Sequence, residues 1–208
     1  MKKVTKSIFA IAIASLMIAC GGSETKEVST EQSMADSTAV KKEFALNTTE
    51  SKVMWEGTML GMYSHNGTVN LSEGQLTLEG DQVTAGSFTV DLKSIQPTDE
   101  GYTEEKGHTK ADLVGHLSSG DFFLVDSFPT ASFEVISHDV TNNTIKGKLT
   151  VRGVSNEETV ENVVINATEG TATGELTFDR TKYNVSFAHP AKEMVLSDDI
   201  SLTVNLKM

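Results

Sequence analysis

The chain has 208 residues, 38% of them hydrophobic, a single cysteine and a formal charge of −12 at pH 7. That length and apolar content suffice for one domain with its own core, while the negative charge repels nucleic acid and anionic membrane surfaces, so neither is an expected partner through charge. One cysteine excludes an intrachain disulfide, and the fold must be held by packing.

Residues 1–19 begin basic, with Lys2, Lys3 and Lys6, and continue through an apolar run from Ile8 to Ile18. The run is shorter than the ~20 residues a membrane-spanning helix needs, so the segment reads as an export signal peptide. Around its end, Leu16-Met17-Ile18-Ala19-Cys20-Gly21 resembles a bacterial lipobox. The resemblance implies cleavage before Cys20 and acylation of its thiol with palmitate-like chains. The expected product is an exported lipoprotein of the cell envelope membrane, facing the periplasm or the cell surface. Each buried methylene contributes ~0.8 kcal/mol, so two or more chains give a lasting membrane anchor where one does not. Residues 20–43 then join the acylated cysteine to a stretch rich in Gly, Ser, Thr, Glu, Lys and Ala, expected to be a flexible tether.

From Phe44 a two-residue period takes over, and the folded domain is expected to span 44–208. Val53, Trp55, Gly57 and Met59 share one face of the first clear segment, followed by strand segments near 65–72, 75–79 and 83–92, with a turn at Glu79-Gly80-Asp81. One short α-helix is expected near 109–119. Thr109 and Asp112 have the spacing of a capping box, Leu113, Val114 and Leu117 fall on one face, and Ser118-Ser119-Gly120 supplies a stop. A lone amphipathic helix in a strand-rich chain must bury that face, so it is expected to plug or lid a barrel. Phe122 and Phe123 follow it directly.

Strand segments resume near 131–140, 144–152, 159–168, 172–180 and 200–207, giving eight or nine in all, with turns at Thr141-Asn142-Asn143 and Glu169-Gly170. In Ile145-Lys146-Gly147-Lys148-Leu149-Thr150-Val151-Arg152 the apolar and polar positions never exchange. The same holds for Ala172, Gly174, Leu176 and Phe178, and for Ile200, Leu202, Val204 and Leu206. Many strands with one dry face and few helices are most economically closed into a barrel or folded into a sandwich, and closure also removes exposed edges. The expected fold is all-β, an up-and-down antiparallel β-barrel of about eight strands. On the dry faces, Gly57, Gly147 and Gly174 either thin the lining of a cavity or mark bulges and bends.

Three stretches together resemble the YceI-like family of bacterial extracytoplasmic proteins. They are Leu113-Val114-Gly115-His116-Leu117-Ser118-Ser119-Gly120-Asp121-Phe122-Phe123, Phe128-Pro129-Thr130-Ala131-Ser132-Phe133, and Ile145 through Val154. Ser51-Lys52-Val53 and Asp179-Arg180-Thr181-Lys182-Tyr183 add weaker support. The resemblance implies a lipocalin-like barrel that binds isoprenoid or other long-chain lipids. Two positions depart from the family pattern: Leu113 and Val114 replace an Arg-Asp pair, and Thr48-Thr49-Glu50-Ser51 replaces an opening that carries a histidine.

The five histidines, at 65, 108, 116, 138 and 189, show no metal-site spacing on one element, so neither a metal nor another cofactor is expected. His138 falls on the wet face of its strand. No nucleophile elbow, Walker loop or dinucleotide fingerprint is present. The candidate lining for an isoprenoid or fatty-acyl chain is Trp55, Met59, Phe88, Leu113 and Leu117, with Phe122, Phe123, Phe133, Leu149 and Phe178. His116 either hydrogen-bonds a ligand head or fixes the helix to a strand end through its ring nitrogens. Arg180 either forms bidentate bonds to an anionic head or makes a surface salt bridge. Carriage, storage or sequestration of a lipid is the expected function. Two alternatives stay open: an envelope protein-interaction module with a filled core, and an enzyme acting on a lipid or amide through distant residues such as His116, Asp121 and a serine. A second copy of the chain, in a homodimer, is a further candidate partner.

Overall fold

Period-two alternation becomes a closed sheet in the computed structural model, which describes residues 40–208 except 106, 190, 192 and 193. The signal peptide, Cys20 and most of the tether lie outside the described residues. The elements are β1 (Lys41–Ala45), β2 (Lys52–Met59), β3 (Tyr63–Glu79), β4 (Gln82–Pro97), α1 (Lys110–Ser118), β5 (Thr130–Asp139), β6 (Thr144–Val151), β7 (Val154–Asn166), β8 (Thr171–Asp179) and β9 (Leu196–Lys207). From β2 to β9 each strand pairs antiparallel with its successor, and β9 returns to pair with β2, which closes an eight-stranded up-and-down barrel. β1 is a ninth strand laid along the far half of β3. Lys41, Lys42 and Glu43, expected in the tether, pair there with Glu79, Leu78 and Thr77. The domain lies within one compact unit, Thr38–Met208, and carries its own closed hydrogen bonding and core, the conditions for folding alone.

The predicted alternation is realised in β6 and β8, where every second residue is buried. Where a bulge intervenes the phase changes. In β5 a register shift between Val135 and Ser137 leaves Ile136 exposed and turns His138 inward, so that its Nδ1 accepts the Val83 N–H at 3.0 Å. The wet-face assignment of His138 is therefore corrected. Burial pushes this imidazole below its ordinary pKa, against a smaller opposite pull from Asp139. The segments expected at 65–72 and 75–79 are one 17-residue strand. A register shift between Leu71 and Glu73 takes the place of a turn, and Leu46 packs over the adjacent Gly74.

The barrel is filled at one end only. Leu46, Leu76, Leu78, Val83, Ile145, Val163, Ala172 and Leu206 close the end that carries the β3–β4, β5–β6 and β7–β8 turns. Two of the three dry-face glycines seat a neighbour instead of opening space. A Cβ on Gly147 would collide with the Phe133 ring and stand 2.8 Å from the Glu134 carbonyl oxygen, and one on Gly174 would stand 2.6 Å from Val160. Gly57, opposite His65 across β2–β3, meets only Ile200 at 3.5 Å and does thin the wall.

The opposite end is shaped by the helix segment and two arginines. α1 opens on the expected capping box: Thr109 Oγ1 accepts the Asp112 N–H at 3.0 Å, and the Asp112 carboxylate accepts the Thr109 N–H at 3.2 Å. The β6–β7 turn is the two-residue pair Arg152-Gly153 with φ values of 50° and 74°, as a tight hairpin requires. From that turn Arg152 Nη1 donates to the Phe122 carbonyl at 2.6 Å and to the Asn184 carbonyl at 2.8 Å. One guanidinium thus ties the segment after the helix to the segment after β8.

Gly147→Ala is expected to destabilise the domain by about 1–3 kcal/mol, because the added methyl forces the Phe133 ring and the β5 backbone to shift. Urea unfolding of the two proteins measures this; an unchanged midpoint would show that the ring does not depend on the missing side chain.

Candidate functional site

Above the filled half the barrel is hollow, with a cavity of about 1150 Å³. Its deep wall includes Phe88 and Phe133, register partners across β4–β5 whose rings stack 5.7 Å apart. Leu149, Val160, Leu176, Phe178, Leu202 and Val204 continue the wall around β6 to β9. Trp55 lies over Gly67, its register partner, and donates Nε1–H to the Thr68 carbonyl at 3.3 Å, so its indole face stays turned to the cavity. The filled-core alternative therefore describes only the closed half of the barrel.

The helix segment supplies the wall expected of it. Leu113, His116 and Leu117 of α1, with Phe122 and Phe123, all line the cavity, as does Met59 at the end of β2. Eleven of the twelve candidate residues thus converge on one space. Val114 is not among the lining residues, and Ser51 is buried at the filled end, where its Oγ accepts the Lys207 N–H at 2.9 Å. The histidine absent from the opening of the domain therefore removes nothing from the cavity.

Two assignments are corrected. Arg180, the twelfth candidate, is 3% exposed and lies outside the lining. Its Nε donates to the Ser197 carbonyl at 2.9 Å, Nη1 to the Val185 carbonyl at 2.8 Å and Nη2 to Asp198 at 3.0 Å. Asp198 is mostly exposed, so the two carbonyls, more than the ion pair, hold the side chain in place. Arg180 thus stands away from the cavity; of its two expected roles the ion pair is present, with Asp198, but from a buried guanidinium that fixes the β8–β9 connection. His116 is held by rings, with Phe122 at 5.0 Å and Phe187 at 4.6 Å, both edge-on, and among the described residues no hydrogen bond to its ring nitrogens ties the helix to a strand end. Among the described residues no carboxylate hydrogen-bonds this imidazole, and His116 and Asp121 form no catalytic pair. No group of three or more His, Cys, Asp or Glu able to hold a metal occurs among the described residues.

One polar cluster at the cavity was not anticipated. His65 on β3 meets Asp99 and Tyr102 of the loop after β4. His65 Nδ1 lies 2.9 Å from Asp99 Oδ2 and 2.9 Å from the Tyr102 hydroxyl, which donates to Asp99 Oδ1 at 3.0 Å. The Asn66 N–H adds a fourth contact at 3.1 Å. Burial by itself would raise the Asp99 carboxyl, but the hydrogen bonds from His65, Asn66 and Tyr102 and the neighbouring imidazole outweigh it and hold the group below the usual carboxylate range. Tyr102 is pushed well above the ordinary phenol range, first by burial and then by its bond to Asp99. Lys110 fixes the loop from α1, donating to the Pro97 carbonyl at 3.3 Å with its ammonium 5.4 Å from the Tyr102 ring centre. In sequence the cluster had no signature: His65 stands in a strand, and Asp99 and Tyr102 stand in a stretch without period. The long β3–β4 pairing brings them together: it runs through Gly67 and Pro97 and continues as the Thr98 N–H donates to the Asn66 carbonyl at 2.9 Å. Phe187 and Met194 on the β8–β9 connection, also lining residues, were missed for the same reason.

Known proteins agree with this architecture. BcnA of Burkholderia cenocepacia superposes with a TM-score of 0.59 at 19% identity, over 77% of this chain and 98% of its own. A polyisoprenoid binding domain from Saccharophagus degradans, implicated in plant cell wall breakdown, superposes with a TM-score of 0.52 at 14% identity, over 78% and 95%. At such identities they speak for a shared barrel. In sequence, UPF0312 protein SAB2563 of Staphylococcus aureus is 41% identical over a stretch covering 38% of this chain and 51% of that protein. The chain thus spans about half the length of the curated relatives it matches. Residues 44–208, nearly the whole described domain, match the YceI-like domain, and the chain belongs to that family.

Proposed function

We propose that the domain binds one long-chain apolar lipid, of isoprenoid or fatty-acyl type, and carries, stores or sequesters it at the cell envelope while tethered to the membrane through an acylated Cys20. The observation that carries this reading is the cavity itself: about 1150 Å³, walled mainly by aromatic and aliphatic side chains, with a hydrogen-bonded cluster of His65, Asp99 and Tyr102 among its polar lining groups. Small-ligand pockets commonly occupy ~300–1,000 Å³, so this one suits an elongated chain. At ~0.3 kcal/mol per heavy atom, a chain of about 25 carbons gains ~7–8 kcal/mol, near micromolar affinity, from apolar contact alone. The tail then lies against Phe88 and Phe133, and a polar head lies beside the His65 cluster. The polyisoprenoid binding of the Saccharophagus domain supports the ligand class, and the lipobox-like stretch before Cys20 supports the anchor.

Titrating the domain with a long-chain prenol is expected to shift Trp55 emission and saturate at one ligand per barrel. Emission indifferent to saturating prenol would remove the tail from this cavity. Tyr102→Phe is expected to weaken a prenol roughly three- to tenfold, the effect of one hydrogen bond, while leaving a hydrocarbon without a hydroxyl unaffected. Equal losses for both ligands would move the head elsewhere. Arg180→Ala is expected to cost about 3 kcal/mol in urea unfolding, since it strips two carbonyls of their donor, yet leave prenol affinity of the folded fraction unchanged. A selective loss of affinity would return Arg180 to the binding site.

A further inference from the structure

Four exposed apolar side chains meet at the rim of the cavity. Leu60, Met62 and Tyr63 at the β2–β3 turn and Val195 just before β9 are 52, 57, 44 and 51% exposed. The Leu60 N–H donates to the Val195 carbonyl at 2.8 Å, so the turn and the β9 approach form one knuckle, and Gly61, with φ of 72°, makes the bend. Hairpin tips facing water usually carry Asn, Asp, Ser and Gly. This one reads Met59-Leu60-Gly61-Met62-Tyr63, without a charge. The same surface runs inward. Met59, Tyr63, Met194 and Leu196, the neighbours of the exposed residues in sequence, line the cavity, and the Tyr63 ring stands edge-on to His65 at 5.1 Å.

We infer that this knuckle is where the protein enters a lipid bilayer, placing the mouth of the cavity against the hydrocarbon so that a chain can pass between membrane and barrel. The inference rests on the lipid reading of the cavity for its purpose. Its occupant follows from shape and continuity. The surface is a convex tip, not a groove that could hold a peptide, and it continues the wall along which an apolar chain has to slide; bilayer hydrocarbon meets both conditions. Charge contributes little. The formal charge is −12, and Asp99 and Glu100 stand at the mouth, so insertion works by apolar burial and favours zwitterionic over anionic lipid. Of the other exposed apolar residues, Ile136, Val140 and Val164 lie towards the filled end and supply an internal control.

The Thr38–Met208 domain, which lacks Cys20, is mixed with phosphatidylcholine vesicles and floated through a density gradient. The wild-type domain is expected to float with the vesicles. The Leu60→Ser/Met62→Ser double variant is expected to bind roughly tenfold less, while Ile136→Ser/Val164→Ser binds like wild type. Because the substituted side chains are exposed, urea midpoints should match, which separates lost docking from lost fold. A wild-type domain that stays at the bottom, or a tip variant that floats equally well, would overturn the proposal. So would a dimer abolished by the tip substitutions, since a second copy would then cover the knuckle. The flotation result stands whether or not the cavity holds lipid, which solvent extraction of the same preparation reads separately.

Discussion

Barrel closure, the pairing of β2 with both β3 and β9, is the constraint on which the rest of the structure depends. An eight-stranded barrel is just wide enough to be filled by its own side chains or to hold one small ligand. This chain does both along its length. Leucine and valine side chains from β3, β4, β7 and β9, with Leu46, meet across the filled end. Towards the other end the walls stand apart, and Gly57 leaves room beside His65. The hollow half follows from side-chain choice within one continuous hydrogen-bonded ring.

Two arginines then set the shape of the mouth, and both do so through backbone carbonyls. Arg152 joins the chain at Phe122 to the chain at Asn184, and Arg180 joins Val185 to Ser197. The Tyr183 ring packs edge-on to Phe178 at 5.3 Å, and its hydroxyl donates to Glu158 at 2.8 Å, which fixes the short helical turn between the two arginine-held segments. Phe122, Phe123 and Phe187, on the segments held in this way, line the cavity. Both guanidinium groups are engaged by these backbone carbonyls and stand outside the cavity lining.

Much of this was legible in the sequence because it depends on local periodicity. The helix boundaries, the capping box and the alternation of β6 and β8 are written in neighbouring residues, and the dry faces of the strands named most of the lining: Trp55, Leu149 and Phe178 are there because alternation places them there. What was not legible depends on registers and distant pairings. A one-residue bulge reverses the facing of His138. A bulge beside Gly74 joins two expected segments into one continuous strand. Arg180 looks like a free cation until the β8–β9 connection folds back and presents carbonyl oxygens to it. The polar end of the cavity joins residues 34 positions apart, His65 and Asp99, for which no spacing rule exists. The family resemblance pointed to the right motifs, and the structure supplies their reasons: Gly147 seats Phe133, and Arg152-Gly153 makes the turn that braces the helix segment.

The proposed occupant of the hollow half of the barrel is a long apolar chain. The most direct test is the mass of the folded protein itself. The domain purified from bacteria under non-denaturing conditions and weighed intact should carry one long-chain lipid per barrel, released on extraction with organic solvent. A domain that weighs no more than its polypeptide and yields no long-chain lipid on extraction would contradict the account.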